Sequence, residues 1–132
     1  MVRTLTEIEA VKLANQLFYS AFETLDIDQM SSVWDDQYEV TCVHPGWPII
    51  QGRDEVLQSW ASIFNNTMVM QFTITETSVH IDGDWAWVVC TENLRSVIDG
   101  RVNEAKIEAT NIFSKRSERW KIVHHHGSPV MG

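Results

Sequence analysis

The stretch that decides the fold is residues 79–102, Val79-His80-Ile81-Asp82-Gly83-Asp84-Trp85-Ala86-Trp87-Val88-Val89-Cys90-Thr91-Glu92-Asn93-Leu94-Arg95-Ser96-Val97-Ile98-Asp99-Gly100-Arg101-Val102. It contains a long strand-like run bounded by two turn signals, Asp82-Gly83-Asp84 and Asp99-Gly100, the second being a hairpin signature. Working outward, 69–82 reads as the strand before it and 101–115 as the strand after it. A further turn at Arg116-Ser117-Glu118 precedes a last strand over 119–126. That last strand holds Trp120-Lys121-Ile122-Val123-His124-His125-His126. The histidine run follows an apolar and polar mix of strand character, so it reads as sequence rather than a purification tag. Alternation places His124 and His126 on one face with Trp120 and Ile122. His125 then points the other way with Val123 and Lys121. Strands this long bend and carry bulges, which interrupts such parity.

Upstream, the periodicity changes from two to 3.6. Thr6-Glu7-Ile8-Glu9 has the form of a capping box. Ile8, Val11, Leu13, Ala14, Leu17, Phe18, Ala21, Phe22 and Leu25 follow at helical spacing, which predicts a helix over 6–25. Asp26 or Asp28 caps a short helix to Trp34. Tyr38 to His44 reads as a strand, interrupted by Pro45-Gly46-Trp47-Pro48 because proline cannot donate to a ladder. Gly52-Arg53-Asp54 opens a third helix that ends near Asn65-Asn66. The order α, α, β, α and then four long strands is an α+β layout, with helices gathered on one face of a curved antiparallel sheet. Such a sheet wrapped around a long N-terminal helix and two further helices encloses a cone, a natural small-molecule pocket.

The chain has 132 residues, which suits one domain spanning 1–132. Its net charge of -8 argues against nucleic acid or an anionic membrane as partner. No apolar run is long enough to span a membrane, and the start is too polar for a signal peptide, so the expected location is the cytoplasm. Cys42 and Cys90 are too few for a disulfide framework or a thiolate zinc site, and read as packing thiols.

Trp34-Asp35-Asp36, Val43-His44-Pro45-Gly46, Gly52-Arg53-Asp54-Glu55-Val56 and the ending Trp120 to Pro129 carry a resemblance over nearly the whole chain. The chain resembles the nuclear transport factor 2-like superfamily and its SnoaL-like subfamily, which includes ketosteroid isomerases, polyketide cyclases and the association domain of a calmodulin-dependent kinase. The resemblance implies the cone-shaped α+β barrel and, commonly, pairing through the outer sheet face. In ketosteroid isomerase an aspartate before a proline at the end of the first strand is the general base. His44, before Pro45, stands at the matching place. The resemblance puts Phe18 where the isomerase has an oxyanion-binding tyrosine, with Tyr19 beside it. Both changes disfavour steroid isomerisation.

The expected site is therefore His44 as base, with Asp35 next to Asp36 as the carboxylate that orients it. Phe18, Tyr19, Phe22, Trp47, Trp60 and Phe64, with His124 and His126, line the ligand pocket. A three-histidine metal site from His44, His124 and His126 is a rival arrangement, but no metal or other cofactor is expected. Glu92, Asn93, Glu108 and Asn111 lie mid-strand, where some must face inward and would orient a substrate. Trp85 and Trp87 share a strand face, and six tryptophans point to an interface and a homodimer. Two functions stand side by side. One is a cofactor-free isomerase, dehydratase or cyclase acting on a small apolar or polyketide-like substrate. The other is a non-catalytic homodimeric ligand-binding or association domain.

Overall fold

The computed structural model describes residues 5–131, so the outermost residues of the expected 1–132 domain lie outside it. Three helices, α1 (Glu7–Thr24), α2 (Ile27–Val33) and α3 (Arg53–Asn65), pack against one six-stranded sheet. Its strands are β1 (Thr41–Val43), β2 (Ile50–Gln51), β3 (Val69–Asp82), β4 (Trp85–Ile98), β5 (Arg101–Arg116) and β6 (Arg119–Pro129), in the order β2-β1-β6-β5-β4-β3. Every pairing is antiparallel except β1 with β6. The sheet is curved but does not close, so β2 and β3 are edges.

Local chemistry explains most boundaries. The Thr6 side chain accepts from the Glu9 N–H while Glu9 accepts from the Thr6 N–H, completing the capping box of α1. Leu25 adopts a left-handed conformation (φ 57°) and ends the helix, its N–H bonding the Phe22 carbonyl. Gly83 and Gly100, both at positive φ, make the two tight turns. Edge strand β3 is tied to α1, because the Glu23 carboxylate accepts the Phe72 backbone N–H at 2.8 Å.

Two expectations are corrected. The first strand is three residues, not Tyr38 to His44, since the buried Asp35 carboxylate accepts the N–H groups of Gln37 (3.0 Å) and Tyr38 (2.7 Å) and turns the chain there. Strand β2 was not foreseen; two residues after a proline carry no period to read.

The second correction concerns the histidine run. Ile112 pairs with His124, but Phe113 pairs with Ile122, so Val123 is an extra residue on β6. The bulge reverses the face of everything after it. His125 shares the inner face with Ile122 and is 1% exposed, while His124 and His126 lie on the outer face.

Candidate functional site

The concave side is filled first by aromatic rings. Phe18, Phe22, Trp60 and Phe64 are buried and touch edge-on or tilted, with Phe22 and Trp60 centroids 4.5 Å apart. His44 lies against this cluster at 3% exposure, with Trp60 4.6 Å away and the half-exposed Trp47 capping it at 4.9 Å. The Ser59 hydroxyl spends its proton on the Val56 carbonyl at 2.6 Å, so at 2.9 Å the His44 Nε2–H must donate to Ser59 Oγ. The Cys42 sulfur lies beside the ring, 3.7 Å from Nε2 and 3.9 Å from Nδ1. Burial lowers the His44 pKa to about 4 and raises that of the Cys42 thiol. His44 is a neutral, walled-in imidazole.

Asp35 is held elsewhere. Besides the two backbone N–H groups, its carboxylate meets Arg116 Nε at 3.3 Å, and Arg116 lies over the Tyr38 ring at 4.2 Å. Its hydrogen bonds tie α2 to the end of β5, and none of them reaches His44. On the outer face, His124 Nδ1 bonds the Thr41 hydroxyl at 2.6 Å and its ring lies 6.1 Å from that of His126. His44 is on the other side of the sheet, so the three-histidine set is not assembled. Among the described residues no group of three or more His, Cys, Asp or Glu converges in a metal-holding arrangement.

Deeper in the cone sits a polar group that the sequence reading only grazed. Tyr19 donates its hydroxyl proton to Glu92 Oε2 at 2.6 Å. Asn111 Nδ2 donates to that same hydroxyl at 3.2 Å and to Asn15 Oδ1 at 2.9 Å. His125 Nδ1 lies 2.6 Å from Asn111 Oδ1, and the Cys90 sulfur is 3.5 Å from Tyr19. Glu92 is 2% exposed. Burial raises its pKa to about 7, against the opposing pull of the Tyr19 hydrogen bond. Burial also holds Tyr19 far above the usual phenol range, helped by the Glu92 charge, and keeps His125 neutral. The 3.9 Å approach of His125 Nε2 to Glu92 is therefore not an ion pair.

This group is not sealed. A cleft of about 380 Å³ opens between α1 and β3, with Tyr19 and Asn15 in its wall beside Phe72, Ile74, Gln16 and Lys12. Of the residues expected to line a pocket, Tyr19 alone lines this one. Thus the helical residue aimed at the polar interior is Tyr19, while Phe18 packs among the aromatic rings. The missed signal was parity. Glu92 continues the inward row Ala86, Val88, Cys90, and Asn111 sits between Ala109 and Phe113. A carboxylate on the apolar parity of a strand is a buried carboxylate.

A family model described as the SnoaL-like domain matches residues 11–132. Among solved structures, a candidate dehydratase of the NTF2-like family from Streptomyces avermitilis is 42% identical and superposes with a TM-score of 0.90, covering 96% of this chain and 97% of that one. A candidate calcium/calmodulin-dependent protein kinase type II association domain from Thiobacillus denitrificans is 28% identical, with a TM-score of 0.79 over 91% and 94% of the two chains. The F-box protein SKIP8 of Arabidopsis thaliana is 29% identical over 122 residues, 92% of this chain and 50% of that protein. The chain thus spans about half the length of the curated relative it matches.

Proposed function

The chain belongs to the SnoaL-like domain family, and from that premise we propose that it binds a small molecule in the cleft between α1 and β3 and moves a proton there without a cofactor. The observation that carries this reading is a buried carboxyl with a pKa near neutrality, bonded to a tyrosine that lines the cleft. A group that titrates near the working pH serves equally as acid and base. As the Tyr19 oxygen takes a proton from the ligand, it hands its own to Glu92. Returning the proton to another carbon is an isomerisation; returning it to a departing hydroxyl is a dehydration. In this reading Glu92 takes the part that the sequence suggested for His44, because His44 has no open path to the cleft.

The test is α-proton exchange in D2O with a panel of cyclic and aryl ketones and enones, followed by NMR between pH 5 and 9. Exchange should follow the ionisation of Glu92, vanish in Tyr19→Phe and Glu92→Gln, and survive in His44→Asn. A panel that neither exchanges nor perturbs cleft resonances counts against the reading, as does exchange that depends on His44.

The outer sheet face supports a second reading, association with a copy of itself. Trp85 and Trp87 are each 42% exposed; Tyr38 packs on the first and His80 stacks on the second. Aromatic residues so placed are typical interface anchors, and the kinase association-domain relative points the same way. Trp85→Glu or Trp87→Glu should weaken a dimer roughly 30-fold each, measured by sedimentation velocity. A monomeric wild-type protein at micromolar concentration would end this reading.

A further inference from the structure

We infer that His125 is a positioning residue that holds the Asn111 amide in one orientation and thereby aims the Tyr19 hydroxyl proton into the cleft. The inference deepens the proton-transfer reading above and rests on it for its meaning, though not for its test.

The count of protons fixes the direction of each bond. Tyr19 has one proton and gives it to Glu92 Oε2 at 2.6 Å, the short contact expected of a bond to a carboxylate. The Tyr19 oxygen must then be the acceptor in its contact with Asn111, so the Asn111 atom facing it is Nδ2. Its Oδ1 must therefore face His125, and an oxygen without a proton can only accept. His125 consequently carries its proton on Nδ1 and a lone pair on Nε2. With Asn111 Nδ2 also bonding Asn15 Oδ1, Asn15 keeps only its own amide hydrogens to offer. One buried histidine sets the direction of the entire chain.

The consequence concerns the moment when Glu92 holds a proton. The acid then donates to the Tyr19 oxygen, which still accepts from Asn111. Both lone pairs are occupied, and the Tyr19 proton turns away from Glu92 and Asn111, where a ligand oxygen in the cleft is a stronger acceptor than the Cys90 sulfur at 3.5 Å. If the Asn111 amide were free to flip, that proton would go to Oδ1 instead and be lost to the ligand. The His125 Nδ1–H bond forbids the flip. It is itself held fast: the ring is 1% exposed and packed against Phe18 at 5.0 Å and Trp60 at 5.9 Å. Burial above all, and then the neighbouring His44, His124 and His126, disfavours a charge on it and keeps it a neutral donor. Facing Glu92 are Tyr19 from α1, Cys42 from β1, His125 from β6 and Cys90 on its own strand. Of these, Tyr19 donates a hydrogen bond to the carboxylate.

Two measurements test this, and neither needs a ligand or turnover. In the 15N spectrum of wild-type protein, His125 should show the Nδ1–H tautomer unchanged from pH 5.5 to 8.5. An Nε2–H tautomer, an imidazolium, or a switch that follows Glu92 would overturn the inference. In the 13C carboxyl spectrum, His125→Leu should raise the Glu92 pKa by about one unit, because the freed amide draws the Tyr19 proton away. His125→Asn, which keeps a donor at the δ position, should leave it near the wild-type value. Equal shifts in both variants, or none in either, would reduce His125 to packing. If His125→Leu does not fold, the wild-type tautomer decides. Because the exchange assay and these spectra are independent, the relay and the proton-transfer reading fail separately.

Discussion

At pH 8, Glu92→Gln should unfold roughly 10 °C above the wild-type protein, and at pH 4.5 the two should coincide. The sign follows from linkage. The folded protein raises the Glu92 pKa from an ordinary 4.5 to about 7. Its contribution to stability is fully present below the unfolded value and is lost as pH rises through the folded one, at a cost on the order of 3 kcal/mol. Glutamine has no charge to bury and still accepts from Tyr19, so it escapes that loss. His44 runs the opposite way. Its folded pKa of about 4 lies below the usual 6.5, so its contribution is intact above 6.5 and is lost as pH falls through the folded value. That acid-side loss is common to both proteins and cancels in their difference. Thermal unfolding across pH checks the result. A difference between Glu92→Gln and wild type that stays flat between pH 5 and 8 would mean that Glu92 ionises without penalty, and the acid–base reading would go with it. A substitution that stabilises the fold while ending proton exchange marks a group retained for chemistry.

The second large effect is at Trp60, the hub of the aromatic interior. Trp60→Ala removes the ring that Phe18, Phe22, Phe64, His44 and His125 pack around, and should cost about 4 kcal/mol. That is a large part of the stability of an ordinary domain. Trp60→Phe leaves a smaller cavity and should cost about 2 kcal/mol, roughly half as much. It keeps most of the packing and deletes an indole N–H that is buried without a protein partner. Urea midpoints for the two variants make the comparison. Equal losses would show that the indole nitrogen has a partner and that its bond, not the ring, is what the interior needs.

Element types and order were legible from the chain alone, because they rest on local rules. The Thr6–Glu9 box, the 3.6-residue period of α1 and the Asp-Gly turns each act over a few residues, and β3 and β4 run over the residues expected. The burial of Glu92 was also written in the parity of β4, where a charge continues an apolar row. Tertiary structure decided the rest, because it depends on distant partners. One extra residue at Val123 turned His125 inward and His124 outward, and a bulge is set by the pairing of β6 with β5 rather than by β6 itself. The pKa of Glu92 belongs to no stretch of sequence: it comes from burial by a helix, Tyr19 and three strands brought together from across the chain. Local order comes from neighbours in sequence; the electrostatics of the site come from neighbours in space.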